Sequence, residues 1–185
     1  ARVERGKWDK LDRSPAIGYS EGTVLIDIVN ALEEECRRQE KTAQMLIKPH
    51  PADPVGHYDE LIAAFTVTES LEVMVTQHIG IAELIAISDC VLGMTSTVLL
   101  ESAMCGRMTI SVQTGLHPDI DSNVSWIEGI SLVNTLKQLR EELRLVISGK
   151  ASRKKEIVDH THLQSTQTIV DIVEKKLIES GGKND

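Results

Sequence analysis

Thr95, Ser96 and Thr97 set three hydroxyls side by side, and Glu101 adds a carboxylate one helical turn further on. They follow a short apolar run, Cys90, Val91 and Leu92, that reads as a strand broken by Gly93. Val98, Leu99, Ala103 and Met104 then recur at helical spacing until Gly106, and 108–112 is a second apolar run. Residues 88–114 therefore read as strand, turn, helix and strand, with hydroxyls where the helix begins. A helix N-terminus has unpaired N–H groups and a partial positive charge, which suits an anion such as phosphate. Glu101 rises on the same face as Thr97 and would meet a ribose while a diphosphate rests at the helix tip. The plainer alternative is a helix cap at Ser96 or Thr97 and a solvated Glu101.

A second candidate lies in Lys48-Pro49-His50-Pro51, which ends the apolar run 43–47. Two prolines exclude a central strand and a helix interior, so this is a rigid loop leaving a strand. His50 on such a loop is an exposed donor, able to stabilise charge developing on a departing phosphate. Lys48 either adds a point charge beside it or is solvated. His117, in a turn before Pro118, is a second donor or an incidental turn residue. Gly18 and Gly22 bracket a short segment that is a plain turn more readily than a phosphate cradle. His57, His78, His160 and His162 lack metal-ligand spacing, so no metal and no cofactor are expected. No nucleophile triad has a supporting strand and turn, and Arg153, Lys154 and Lys155 read as a solvated helix face.

These residues need a scaffold, and hydrophobic periodicity supplies one. Val24, Leu25, Ile28, Val29, Leu32 and Cys36 mark a helix whose outer side is Glu33, Glu34, Arg37 and Arg38. Strands are expected at 43–47, 71–76, 90–92, 108–112 and 130–133, and a further short one at 15–19. Short helices are expected at 58–65 and 79–87, a loop at 113–125, and a helix at 135–147 capped by Asn134. Ile169, Val170, Ile172, Val173, Leu177 and Ile178 mark a terminal helix. Alternating strands and helices predict a Rossmann-like α/β domain, a parallel sheet covered on both faces, over 16–150. An irregular or linking segment at 1–15 precedes it, and a helical segment at 151–185 packs on it. In such sheets ligands lie beyond the carboxyl ends of the strands. Both the His50 loop and the 93–97 turn leave such ends.

The 185 residues carry a net charge of −8, which disfavours a nucleic-acid footprint but permits a local anion site. No apolar run reaches the roughly 20 residues of a membrane span, which leaves peripheral association open. There is no signal pattern at the start, unless the chain is excised from a longer one. Cys36, Cys90 and Cys105 are odd in number without CxxC spacing, and Cys90 and Cys105 sit among apolar residues. They read as buried thiols in a reducing compartment, so the cytoplasm is the expected location.

Taken in order, three places in 16–150 resemble the C-terminal nucleotide-binding domain of the GT-B superfamily. That group holds many glycosyltransferases and the non-hydrolysing UDP-N-acetylglucosamine 2-epimerases. Leu46-Ile47-Lys48-Pro49-His50-Pro51 is similar to the His-Pro element of bacterial sialyl-, polysialyl- and capsule transferases, where the histidine approaches the donor phosphate. The stretch 93–101 is similar to the phosphate-binding turn and the acidic residue that meets the ribose. The stretch 114–119 occupies the place of an epimerase Thr-Glu-Arg-Pro-Glu element, with Leu116-His117 instead of Glu-Arg. Thr95-Ser96-Thr97 in place of Ser-Gly-Gly, and Arg107-Met108 in place of Lys-Pro, favour a transferase, with a UDP-N-acetylglucosamine 2-epimerase-like domain as the first alternative.

The resemblance implies a nucleotide-sugar donor as partner, with His50 catalytic and Lys48, Thr95, Ser96, Thr97, Glu101 and His117 binding. It also implies capsular or other surface polysaccharide synthesis, and an acceptor domain or partner beyond this one domain. A non-catalytic nucleotide-binding or scaffold domain is the alternative from a different class.

Overall fold

The computed structural model describes residues 17–54, 56, 58–65 and 68–150. The segments expected at 1–15 and 151–185, with the terminal helix, His57, His160 and His162, lie outside the described residues. The element order is α1 (Glu21–Arg38), β1 (Ala43–Ile47), α2 (Asp59–Ala64), β2 (Leu71–Val75), α3 (Ile81–Ile87), β3 (Cys90–Gly93), α4 (Thr97–Met104), β4 (Met108–Val112), β5 (Ile130–Val133) and α5 (Leu136–Ile147). It is a Rossmann-like α/β fold in which every strand pair is parallel.

The strands form two sheets, β1-β2 and β3-β4-β5. No strand forms at 17–19, where an opening strand was expected; Pro15 and Ala16 lie outside the described residues. Gly18 adopts φ +92°, a left-handed turn that no strand follows, because here the chain folds against the loop after β4. Among the described residues β1 pairs only with β2 and β3 only with β4, and β3 is half-buried along its whole length.

Helix α1 is the centre of the packing. Ser20 caps it in a reciprocal box: its Oγ accepts from Thr23 N–H at 3.1 Å, and Thr23 Oγ1 accepts from Ser20 N–H at 2.8 Å. Glu21 in the first turn and Arg37 and Arg38 in the last oppose the helix dipole. The expected apolar stripe is buried, and so are Ile26, Asp27, Ala31 and Glu35. That all-round burial marks a helix with neighbours on several sides.

On one side α1 meets Leu139 and Leu143 of α5, with Ile110 and Val112 of β4 and Val133 of β5 in the same core. An Arg140–Glu34 pair at 2.9 Å joins the two helices at the surface, where it adds little. Thr135 caps α5, accepting from Gln138 N–H at 3.2 Å, instead of Asn134. Gln138 reaches back to the N–H groups of both Asn134 and Thr135, which places the box one residue later.

Strand β4 alternates between two environments, as a strand must. Ile110 and Val112 face the apolar core, while the intervening Thr109 and Ser111 are buried on the other side. There Ser102 of α4 bonds Thr109 at 2.8 Å, so that face is joined by hydroxyls.

All three cysteines are free, Cys36 buried, Cys90 partly buried, and Cys105 exposed. Cys105 is thus not the buried thiol expected of it, because it ends α4 on the outer side of the fold. Burial, with Glu142 and Asp89 nearby, pushes the Cys90 thiol up to about 12. Burial and then Glu35 raise Cys36 as well. A thiol that stays protonated when folded but ionises when unfolded costs stability only above its unfolded pKa. Unfolding midpoints in urea should therefore hold to about pH 9 and fall as pH climbs toward 12. Cys90→Ala should flatten that decline, and an equally steep decline in the variant would rule Cys90 out as its source.

Candidate functional site

The turn from β3 into α4 is set by the strand beside it. The Met94 carbonyl accepts from Ser111 Oγ at 2.5 Å and from Gln113 Nε2 at 3.3 Å. Gln113, itself fully buried, also donates to Ser111 Oγ at 2.9 Å and Ser122 Oγ at 2.8 Å. One amide thus ties the turn, β4 and the following loop together. Thr95, Ser96 and Thr97 project from this anchored base and are exposed.

Ser96 is the N-cap of α4, accepting from Val98 N–H at 3.2 Å, so the capping reading is true of it. Its hydroxyl proton is still available to a ligand, since capping uses the oxygen as acceptor. The first turn of α4, like that of α5, carries no acidic residue, whereas α1 and α3 each have one and α2 has two. The positive end of α4 is therefore not offset by its own side chains. Glu101 is exposed on the next turn with no side-chain hydrogen bond among the described residues.

The His50 loop leaves β1 through Pro49, which is buried, while His50 is exposed. Asp53 closes it as a tight turn: its carboxylate accepts from His50 N–H at 2.8 Å, and its N–H donates to the His50 carbonyl at 2.9 Å. Inside that turn Ala52 N–H donates to His50 Nδ1 at 3.1 Å. An imidazole whose Nδ1 accepts carries its proton on Nε2 when neutral. His50 is therefore held as an Nε2–H donor.

Lys48 donates its ammonium to the Gln77 carbonyl at 2.6 Å, bracing the loop after β2. His117 is exposed in the loop after β4, with Nδ1 3.5 Å from the Asp119 carboxylate.

The two loops are brought to one end of the molecule by the start of α1. Tyr58 donates to Glu21, the first residue of α1, and burial, then Glu21, then the Asp53 charge raise its hydroxyl above the usual phenol range. On the other side, Ile17 accepts from His117 N–H at 2.9 Å, and the Asp27 carboxylate accepts from the Thr114 hydroxyl at 2.6 Å. The carboxyl ends of β1 and β4 thus meet the same helix terminus, and Gln113 links β4 to the Met94 turn. His50, His117 and the hydroxyl turn share this rim. No hydrogen bond joins His50 to Ser96 or Thr97 among the described residues.

Gly18 and Gly22 do not form a phosphate cradle. Gly18 is pressed against the Gly115 carbonyl and Gly22 is buried in α1. A hollow of about 290 Å³ opens at the opposite ends of β1 and β2, lined in part by Glu69 and Glu72, whose charges repel phosphate. Tyr58, Glu21 and Gln113 are the parts that periodicity does not reveal, because each works through a partner distant in sequence.

No family model, curated protein or solved structure matches the chain. Among the described residues no three His, Cys, Asp or Glu side chains gather as metal ligands. No helix among them is long and apolar enough to cross a membrane.

Proposed function

We propose that this chain binds the nucleotide part of a sugar donor, as the donor half of a GT-B-type glycosyltransferase in surface or capsular polysaccharide synthesis. The observation that carries the reading is the exposed, hydroxyl-lined start of α4 at the carboxyl end of a parallel strand, with the His50 imidazole on the loop that leaves the carboxyl end of β1. The diphosphate rests on the 95–97 hydroxyls and the α4 terminus, and Glu101 accepts from the ribose. In transfer, the bond from the anomeric carbon to the diphosphate oxygen breaks as the acceptor hydroxyl attacks. His50 Nε2–H then stabilises the charge gathering on the departing diphosphate. The acceptor and the base that takes its proton belong to another domain or partner, in or near the cytoplasm.

Calorimetric titration with CMP, CDP and UDP tests this directly. A nucleoside diphosphate is expected to bind more tightly than the monophosphate, and the preferred base names the donor class. Silence with all three sinks the reading.

A further inference from the structure

Gln113 is buried at the carboxyl end of β4 and is bonded through both its backbone and its side chain. Its N–H donates to the Val133 carbonyl at 2.9 Å, and its carbonyl accepts from Leu116 N–H at 2.9 Å. Its Nε2 lies 2.8 Å from Ser122 Oγ, 2.9 Å from Ser111 Oγ and 3.3 Å from the Met94 carbonyl. A carbonyl can only accept, so the NH2 end of the amide faces this group. One of its protons goes to Ser122 and the other to Ser111, with the Met94 carbonyl as the weaker arm of a three-centre bond. Ser111 then donates its own proton to that carbonyl at 2.5 Å. A relay therefore runs from Met94 through Ser111 and Gln113 to Ser122.

Ser122 is the base of a second compact unit. Its carbonyl accepts from Ser125 N–H at 3.2 Å and Ser125 Oγ at 2.8 Å, and the carbonyl of buried Val124 accepts from Ile127 N–H at 3.1 Å. These turns belong to the loop that carries His117.

We propose that Gln113 is a positioning residue for an anion at the start of α4, coupling the 94–97 turn to the 122–127 turns. This rests on the reading that the 95–97 hydroxyls take a diphosphate. An anion that tightens the first turn is felt at Ser122. Coupling is reciprocal, so cutting the relay at Ser122, which touches no ligand in this reading, weakens the anion.

Amide proton–nitrogen spectra of the full chain, titrated with inorganic pyrophosphate and then with UDP and CDP, test this. In wild type the amides of Ser96 to Leu99 and those of Ser122 to Ser125 are expected to shift with one midpoint. Gln113→Met keeps the length of the side chain and removes both N–H donors. Ser122→Ala leaves Gln113 in place and removes only the loop's acceptor, so it decides the matter if Gln113→Met does not fold. In either variant the loop amides should stop following the turn, and pyrophosphate affinity should fall about 3- to 10-fold, as for one lost hydrogen bond.

Thr109→Val is the structural control. It breaks the Ser102–Thr109 bond on the same buried face but lies off the relay, so it should keep both the affinity and the loop response. Loop amides that stay still in wild type while the turn amides shift overturn the proposal. So does a loss of affinity in Thr109→Val equal to that in Ser122→Ala. If pyrophosphate binds with the linked response but UDP and CDP bind no more tightly, the donor reading falls and the coupling stands. Pyrophosphate that does not bind at all overturns both.

Discussion

Gly18→Ala should destabilise the fold by roughly 2–6 kcal/mol, from a left-handed backbone penalty of about 1–3 and an overpacking penalty of about 1–3. Gly18 has φ +92°, and a Cβ built on it would stand 2.1 Å from the Gly115 carbonyl oxygen. That neighbour is backbone, so no rotamer change relieves the overlap. A Cβ built on Gly115, at φ +98°, would likewise crowd the Gly18 carbonyl oxygen, at 2.7 Å. The two glycines let the segment before α1 lie flat on the loop after β4, where Ile17 also accepts from His117 N–H.

Gly149 is the control. It has φ +69° beyond α5 but nothing within 4 Å of an added Cβ. Gly149→Ala should therefore pay the backbone penalty alone, roughly 1–2 kcal/mol. Urea midpoints of the two variants separate the terms, and equal losses would mean that the Gly18–Gly115 contact does not exist. Domain stabilities are about 5–15 kcal/mol, so the Gly18 variant approaches the limit of folding.

The scaffold was largely legible because local pattern and final structure agree. Ala43–Ile47, Met108–Val112 and Ile130–Val133 fall where apolar runs end in Pro, Gly or a capping residue. The α4 cap was legible because Ser96 acts on its own helix. The turn at 17–19 was not, since it depends on Gly18 meeting Gly115, 97 positions away by number.

The role of Lys48 was hidden for the same reason, because the carbonyl it serves belongs to Gln77. Tyr58 reads as the first residue of a short helix, and only the fold supplies Glu21 as its acceptor. The polar face of β4 looks in sequence like an imperfect strand. Its Thr109, Ser111 and Gln113 are buried because each finds a hydrogen-bond partner, which no period encodes.

His50→Ala should lower nucleoside diphosphate affinity about 10- to 100-fold while barely changing stability. A hydrogen bond to a charged group is worth about 1.5–3 kcal/mol, which corresponds to that range. The ring is exposed, and the one group it satisfies among the described residues, Ala52 N–H, is exposed with it, so water replaces the lost acceptor.

Ser96→Ala should behave in the opposite way. Removing the cap costs about 1 kcal/mol of stability, but the N–H groups and dipole of α4 still attract phosphate. Its affinity loss should therefore be smaller than that of His50→Ala. The double variant distinguishes one shared phosphate from two separate contacts. Side chains on the same phosphate should couple, whereas effects that simply add would place them on different parts of the ligand. Unchanged affinity in His50→Ala would leave the α4 terminus as the sole anion site and remove the imidazole from the reaction. Both single variants should also lose affinity as salt rises, because the attraction is between exposed charges and is screened.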